Sequence, residues 1–204
     1  MARNGKKKKV VFIGSSGVGK TSIVLRHERK EFTVDITPTL GANFVPTTIS
    51  VGYPNPKKVS MDLWDTAGQD RFIDMMPMYL RRAEGAFIVF DVTQRETFDD
   101  LPKWVSTLDN IRELPNVVVI IIGNKTDLTN LRCVTRKEAE EFAERKGFRY
   151  VETSALMDQG ITEALRAMAG MLVEQSEAIP PKSLMELENE AITLRRSDEE
   201  KKCC

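Results

Sequence analysis

The sequence of 204 residues contains few cysteines, a single histidine and no long apolar run. Three cysteines without a secretory signal argue against a disulfide scaffold and favour a reducing compartment. The longest apolar run, residues 117–122, is too short to cross a membrane. Thirty basic and thirty acidic residues leave no net charge that would indicate nucleic-acid binding. We therefore expect a soluble intracellular protein that binds no nucleic acid, and a solvated, non-catalytic His27 on a helix.

Short apolar segments alternate with longer amphipathic ones over most of the chain. This alternation predicts βαβ units around a mostly parallel sheet, and the nearly continuous apolar strands indicate that both sheet faces are covered. Residues 43–65 break the pattern, and their Gly- and Pro-rich centre predicts an antiparallel hairpin at one sheet edge. The polar composition after residue 175 predicts a tail outside the domain. Strands are predicted at 9–14, 86–92, 117–125 and 148–154, and helices at 20–30, 96–113, 135–146 and 162–175.

The segment GSSGVGKT, residues 14–21, matches the phosphate-loop pattern G-x-x-x-x-G-K-[ST] between a predicted strand and a predicted helix. Its glycines allow successive backbone N–H groups to converge on phosphate oxygens, and the following helix directs its positive end at the same anion. Lys20 is expected to contact the terminal phosphates, and the Thr21 hydroxyl to bind Mg²⁺. A chance lysine in a glycine-rich turn is the alternative, but both flanking elements favour a nucleoside triphosphate site.

The segment NKTD, residues 124–127, selects the base because it follows a predicted parallel strand, where ligands bind in open sheets. The Asp127 carboxylate can accept both N–H groups of the guanine edge, which adenine lacks. Asn124 can bond the purine N7 and tie neighbouring loops together, while the Lys125 stem covers the ring. Ala155, in TSAL, can offer its N–H to guanine O6. NKxD alone is weak, but combined with the phosphate loop it predicts a guanine nucleotide.

The segment WDTAGQD, residues 64–70, completes a predicted metal and phosphate shell. Asp65 is expected to hold Mg²⁺ through a water, and the backbone N–H of Gly68 to reach the γ-phosphate. Gln69 is expected to orient the attacking water, and Thr39 to supply a second hydroxyl to Mg²⁺. The predicted catalytic residues are Gln69, Lys20 and Thr39. No arginine is placed to act in cis, so we expect slow hydrolysis that a partner accelerates.

These motifs resemble those of Ras-like small GTPases, and WDTAGQDRF, Phe44 and the terminal Cys-Cys resemble the Rab branch. The resemblance implies a phosphate-loop NTPase fold, a doubly wound α/β sheet of six strands with one antiparallel edge strand and five helices. It implies a GTP/GDP switch with Mg²⁺ in vesicular membrane traffic, in which two loops respond to the γ-phosphate. The nucleotide contacts that it implies are Ser16, Gly17, Val18, Gly19, Lys20, Thr21, Ser22, Phe32, Thr39, Gly68, Asn124, Lys125, Asp127, Ser154, Ala155 and Leu156.

The Rab resemblance also implies partners and a membrane anchor. Phe44, Trp64 and Tyr79 match the aromatic triad that contacts effectors, and Cys203 and Cys204 match a double geranylgeranylation signal. A single lipid chain anchors a protein only marginally unless a basic cluster assists it. This tail lacks a basic cluster, so stable anchoring would require two lipid chains. The expected organisation is a GTPase domain at 1–175 and a flexible tail at 176–204. The implied partners are effectors, an exchange factor, a GTPase-activating protein, Rab escort protein and GDP-dissociation inhibitor.

Two further readings depend on the same residues. A nucleotide-dependent scaffold without relevant hydrolysis is the alternative function, whereas NKTD disfavours a nucleotide kinase.

We expect a monomer on the cytoplasmic face of an endomembrane, and SIVLR and TLGANF resemble segments of early-endosomal Rab proteins. Four positions depart from the usual Rab pattern, and Leu156 removes a lysine stem that packs beside the base. These positions are Asp70, Leu80, Arg82 and Leu156.

Overall fold

The computed structural model describes residues 7–32, 39, 41–52, 54–68, 75–111 and 116–178. The chain divides into two compact units, Met1–Val173 and Glu174–Cys204, and the second is described only at residues 174–178. The described strands are β1 Lys8–Ile13, β2 Ala42–Val51, β3 Lys57–Thr66, β4 Gly85–Asp91, β5 Val118–Asn124 and β6 Arg149–Glu152. The described helices are α1 Lys20–Arg29, α2 Met76–Leu80, α3 Arg95–Asp99, α4 Leu101–Asp109, α5 Arg136–Arg145 and α6 Ile161–Ala178.

The six strands form one sheet in the order β2-β3-β1-β4-β5-β6. Every neighbouring pair is parallel except β2 and β3, so β2 is the antiparallel edge strand. The predicted α/β fold is therefore confirmed. The strand order reverses beside β1, and the carboxyl ends of β1, β4 and β5 meet at the same edge of the sheet, where ligands bind in open α/β folds.

Both faces of the central strands are buried, as their apolar runs predict. In β1, Val10 and Phe12 belong to the core on one face, whereas Val11 and Ile13 belong to the core on the other. All four side chains are at most 1% exposed. Burying apolar area on two faces is the main source of stability for such a sheet. It also makes the carboxyl end of β1 a rigid base for the loop that follows.

The predicted helix at 96–113 is wrong in one respect, because two helices, α3 and α4, occupy its described part with a break at Asp100. Pro102 lies in the first turn of α4. A proline lacks the N–H that would bond four residues back, and its ring clashes with that carbonyl, here Phe98. The break follows from this clash. When α3 and α4 are counted as one broken helix, the described part of the chain has five α-helices, the number expected.

The predicted hairpin is confirmed and pairs ten residues of β2 with ten of β3, from Ala42 opposite Thr66 to Val51 opposite Lys57. A further bond from the Ala67 N–H to the Gly41 carbonyl, 2.9 Å long, continues the ladder beyond the strands. The two loops that flank the hairpin therefore start from adjacent positions.

The prediction of a solvated His27 is wrong. This side chain is half-buried beside the hairpin, and its Nε2 lies 2.7 Å from the Thr47 hydroxyl. Burial lowers the pKa of His27 below 6.5.

None of the described helices is both long and apolar enough to cross a membrane.

Candidate functional site

The phosphate loop, residues 14–21, connects β1 to α1 and holds the Lys20 side chain above itself. Lys20 is 5% exposed, and its ammonium donates to the Gly14 carbonyl at 2.7 Å and the Ser15 carbonyl at 2.9 Å. Burial lowers the pKa of Lys20 to about 8, and the nearby Asp65 carboxylate opposes that shift. A desolvated ammonium held by two carbonyls has a strong preference for an anionic partner such as phosphate.

Gly19 shows why the loop requires a residue without a Cβ atom. It precedes α1 at φ 95°, in the left-handed region, and a Cβ there would collide with the Asn124 amide nitrogen. The Asn124 amide nitrogen donates to the Val18 carbonyl at 2.9 Å, and the Asn124 amide oxygen accepts from the Thr153 hydroxyl at 2.9 Å. Asn124 therefore ties the phosphate loop to the ends of β5 and β6, as its position in NKTD predicts.

Three oxygen-bearing side chains converge beside Lys20. The Thr21 hydroxyl donates to Asp65 Oδ2 at 2.7 Å, and the Thr39 hydroxyl lies 3.0 Å from Thr21 Oγ1. Burial raises the pKa of Asp65, while the Thr21 hydrogen bond and the Lys20 charge oppose the shift. The other carboxylate oxygen, Asp65 Oδ1, is buried without a partner among the described residues.

This arrangement fits Mg²⁺. Mg²⁺ binds hard oxygen ligands and keeps several waters, so two hydroxyls and one carboxylate suffice when phosphate supplies the rest. No cluster of three His, Cys, Asp or Glu side chains occurs in the described ranges, which leaves the Thr21, Thr39 and Asp65 group as the candidate metal site. The unpartnered Asp65 oxygen is the atom that a hydrated cation would satisfy.

Gly68 packs directly against the phosphate loop. A Cβ at this position would lie 2.6 Å from the Gly14 carbonyl oxygen, 2.7 Å from the Ser15 carbonyl oxygen, and closer still to Lys20 Nζ. Only a glycine backbone can come this near to the cradle that Lys20 occupies. Gly68 therefore lies beside the cradle of Lys20, and its contact with a terminal phosphate stays a prediction.

The candidate base pocket lies where β5 and β6 end. The Ser154 hydroxyl donates to Asp127 at 2.5 Å and also accepts from the Met157 N–H at 3.0 Å, which fixes the carboxylate at the rim. Ala155 is 4% exposed, whereas Leu156 is 46% exposed at the same rim. Asp127, Ala155 and Leu156 are thus brought together as the sequence predicts.

The Lys125 side chain is fixed by an ion pair that the sequence analysis missed. Its Nζ lies 2.7 Å from Asp91 Oδ2, and Asp91 is fully buried at the end of β4. A buried carboxylate requires a charged partner, so this pair fixes the end of the Lys125 side chain beside the end of β4. A charged residue at the carboxyl end of an otherwise apolar parallel strand is the sequence signal that identifies Asp91.

The remaining predicted site residues are placed as follows. Ser16 and Gly17 are exposed at the top of the phosphate loop, and Ser22 lies in the first turn of α1. Phe32 packs against the edge of the core that contains Val10 and Phe12. Gln69, Cys203 and Cys204 lie outside the described residues.

The predicted effector triad divides into a surface pair and a buried member. Phe44 is 48% exposed and stacks on Trp64 with ring centroids 5.4 Å apart. Lys9 Nζ lies over the Trp64 ring at 4.3 Å, a cation–π contact. Tyr79 is only 8% exposed and belongs to the core cluster against which Trp64 packs. Phe44 and Trp64 therefore form the accessible part of this surface.

A doubly wound sheet that brings a phosphate-loop motif, a group of two hydroxyls and one carboxylate, and the aspartate of an NKxD motif to one edge defines the class of phosphate-loop nucleotide-binding proteins. Comparison with known families agrees: the model of the Ras family matches residues 9–174. Relatives include Rab11A of Lotus japonicus, 42% identical over 86% of this chain and 75% of that protein. RABA4a of Arabidopsis thaliana is 39% identical over 89% and 77%, and the GTP-binding protein ypt3 of Schizosaccharomyces pombe 38% identical over 78% and 73%. The chain belongs to the Ras family of small GTPases, in its Rab branch.

Proposed function

We propose that this GTPase acts as a switch in vesicular membrane traffic, binding GTP and GDP with Mg²⁺ and recruiting effectors in the GTP state. The convergence of Thr21, Thr39 and the unpartnered Asp65 oxygen beside the Lys20 cradle carries this proposal. Thr39 and Gly68 belong to the two loops that start from the hairpin end. A γ-phosphate contacting both would order them together, and its loss would release them.

The chain's own residues contribute position and charge to hydrolysis. Lys20 and the phosphate-loop N–H groups stabilise negative charge on the phosphates, and Thr21, Thr39 and Asp65 would hold Mg²⁺, which neutralises charge on the phosphate oxygens. Gln69 would align the attacking water with the γ-phosphorus. Because the sequence places no arginine to act in cis, we expect a slow intrinsic rate and dependence on a GTPase-activating protein, which accelerates such reactions about 10³- to 10⁵-fold.

Single-turnover hydrolysis of bound GTP tests this mechanism. Purified protein should turn over well below about one GTP per minute, and Gln69→Leu should slow it further. A GTPase-activating protein should accelerate the wild type and fail on the variant. Equal rates for wild type and Gln69→Leu, with no acceleration of either, would instead support the alternative, a nucleotide-dependent scaffold without relevant hydrolysis.

The exposed Phe44 ring, stacked on the half-buried Trp64, supports a proposed effector surface. Aromatic side chains dominate the energy of many interfaces, and Phe44 would lose its exposed ring area on binding. Phe44→Ala should abolish GTP-dependent capture of effectors while leaving hydrolysis unchanged, because Phe44 lies on β2, away from the phosphate loop. An exchange factor, a GTPase-activating protein, Rab escort protein and GDP-dissociation inhibitor are the further partners that we propose.

We propose that residues 1–175 form the GTPase domain and residues 176–204 a tether that ends in two geranylgeranylated cysteines, Cys203 and Cys204. Two lipid chains are needed because a single chain gives only marginal anchoring. Replacing both cysteines by serine should leave GTP binding intact and make the protein cytosolic, and replacing one should give weak, reversible association. Membrane association that survives the double replacement would contradict the proposal.

The proposed location is the cytoplasmic face of an endomembrane, with the protein as a monomer. The early-endosomal assignment stays a prediction, since the names of the relatives specify no compartment. Imaging a tagged full-length chain with compartment markers in its own cell tests it directly, because recruitment elsewhere would contradict the early-endosomal assignment and leave the GTPase intact.

A further inference from the structure

The phosphate loop is tied sideways to helix α4 through the Ser15 side chain. Ser15 Oγ donates to Asp100 Oδ2 at 2.8 Å, and Trp104 Nε1 donates to Ser15 Oγ at 3.3 Å. Ser15 thus has an acceptor in Asp100, immediately before α4, and a donor in Trp104, near the start of α4, 85 and 89 residues further along the chain. None of these three residues is among the predicted nucleotide contacts.

The same residue holds the catalytic lysine through its backbone. Ser15's carbonyl accepts from Lys20 Nζ at 2.9 Å, and the carbonyls of Gly14 and Ser15 are the atoms against which Gly68 packs. A shift of Ser15 would therefore move the Lys20 ammonium and the surface on which the Gly68 loop docks. The position of Ser15 is important for both groups, and its side chain is held from outside the phosphate loop, by Asp100 and Trp104.

Asp100 is placed unusually for its sequence position. It immediately precedes α4, where an aspartate normally caps its own helix by accepting backbone N–H bonds. Asp100 makes no such cap, and its carboxylate turns to Ser15 instead. The Pro102 clash that separates α3 from α4 places Asp100 at the break, half-buried beside the phosphate loop. A hydrogen bond to a carboxylate is about twice as strong as a neutral one, so the choice of partner matters.

We propose that Asp100 is a positioning residue for the phosphate loop, acting through Ser15 and assisted by Trp104. Its carboxylate fixes the Ser15 peptide, and that peptide fixes Lys20. The effect should be confined to affinity for the β- and γ-phosphates, because the Ser154–Asp127 hydrogen bond and the Lys125–Asp91 ion pair at the candidate base pocket involve neither Ser15 nor Asp100.

The test combines Asp100→Ala, Asp100→Asn and Ser15→Ala with the double variant Ser15→Ala/Asp100→Ala. Losing one charge-assisted hydrogen bond should raise the GDP dissociation rate about tenfold in each alanine variant. The double variant should release GDP no faster than Ser15→Ala, because Ser15→Ala already removes the contact with Asp100. Asp100→Asn keeps an acceptor oxygen and should stay within about threefold of wild type.

Affinity for GMP separates positioning from general loosening of the fold. GMP lacks the β-phosphate, so its affinity should change less than about twofold in all variants while that of GDP falls about tenfold. Asp109→Ala is the matched control, since Asp109 is an exposed carboxylate at the opposite end of α4. It should leave both affinities unchanged.

Three results would overturn the proposal. One is a double variant whose effect is the product of the single effects. Another is GMP affinity that falls in parallel with GDP affinity, and the third is unchanged GDP release in Ser15→Ala and Asp100→Ala. If Asp100→Ala does not fold, Ser15→Ala and Asp100→Asn still decide, because Ser15→Ala should weaken GDP but not GMP, and Asp100→Asn should resemble the wild type.

Discussion

Gly68→Ala should separate hydrolysis from nucleotide binding. The added Cβ would lie 2.6 and 2.7 Å from the carbonyl oxygens of Gly14 and Ser15, distances that real Cβ atoms essentially never show. Both obstacles are backbone atoms of a tight loop, so the Gly68 loop must withdraw. Overpacking of this kind costs about 1–3 kcal/mol. That cost corresponds to a roughly 5- to 150-fold shift away from the docked loop.

Two assays on one preparation measure the effect. Single-turnover hydrolysis should fall by about 5- to 150-fold, while release of fluorescent GDP stays near the wild-type rate, because the withdrawn loop leaves the phosphate loop and α1 in place. Gly170→Ala is the control, since nothing lies within 4 Å of a Cβ at that helical position. A Gly68→Ala protein that hydrolyses GTP at the wild-type rate, or that loses GDP as severely as it loses hydrolysis, would refute the reasoning.

Three further outcomes are expected. Gly170→Ala should raise unfolding free energy by about 0.5–1 kcal/mol, because alanine loses less entropy than glycine in α6; a lower midpoint in urea unfolding would contradict this. In Asp65→Asn, the Mg²⁺ concentration needed to slow GDP release should be about 10- to 100-fold higher than in the wild type. Identical titration curves for the two proteins would show that Asp65 does not contribute to the metal site. His27 has a pKa lowered by burial, so the folded state favours neutral imidazole and stability is lost as pH falls from 6.5 through the folded-state pKa. Stability measured between pH 8 and pH 5 should therefore fall less steeply in His27→Gln, and parallel profiles would show that His27 does not contribute.

Local patterns explain why the fold and most of the candidate site could be predicted. The phosphate loop and NKTD are contiguous, and each follows an apolar strand whose burial dictates where the loop projects. Parallel strands place their carboxyl ends at one edge, so Lys20, Asn124 and Asp127 come together once the alternation of strands and helices is recognised.

Contacts between distant segments could not be predicted in the same way. The bond from Ser15 to Asp100 depends on the Pro102 break, which redirects a carboxylate that the helical pattern assigns to a capping position. The prediction of a solvated His27 was wrong for a related reason. The neighbours of His27 along α1 are charged, but the hairpin lies against that side of the helix and provides Thr47 as a partner. Each miss involves a side chain whose partner lies on an element folded against it from elsewhere in the sequence.

The hydrogen bond between Gly41 and Ala67 has a consequence for how Thr39 and Gly68 move relative to each other. Thr39 and Gly68 each lie within two residues of this closing rung. A displacement at one side of the rung is transmitted to the other, because a 2.9 Å bond and ten paired residues behind it resist shear. Thr39 and Gly68 are thus coupled through one hydrogen-bonded backbone pair. A partner that contacts either Thr39 or Gly68 is therefore expected to respond to a change at both.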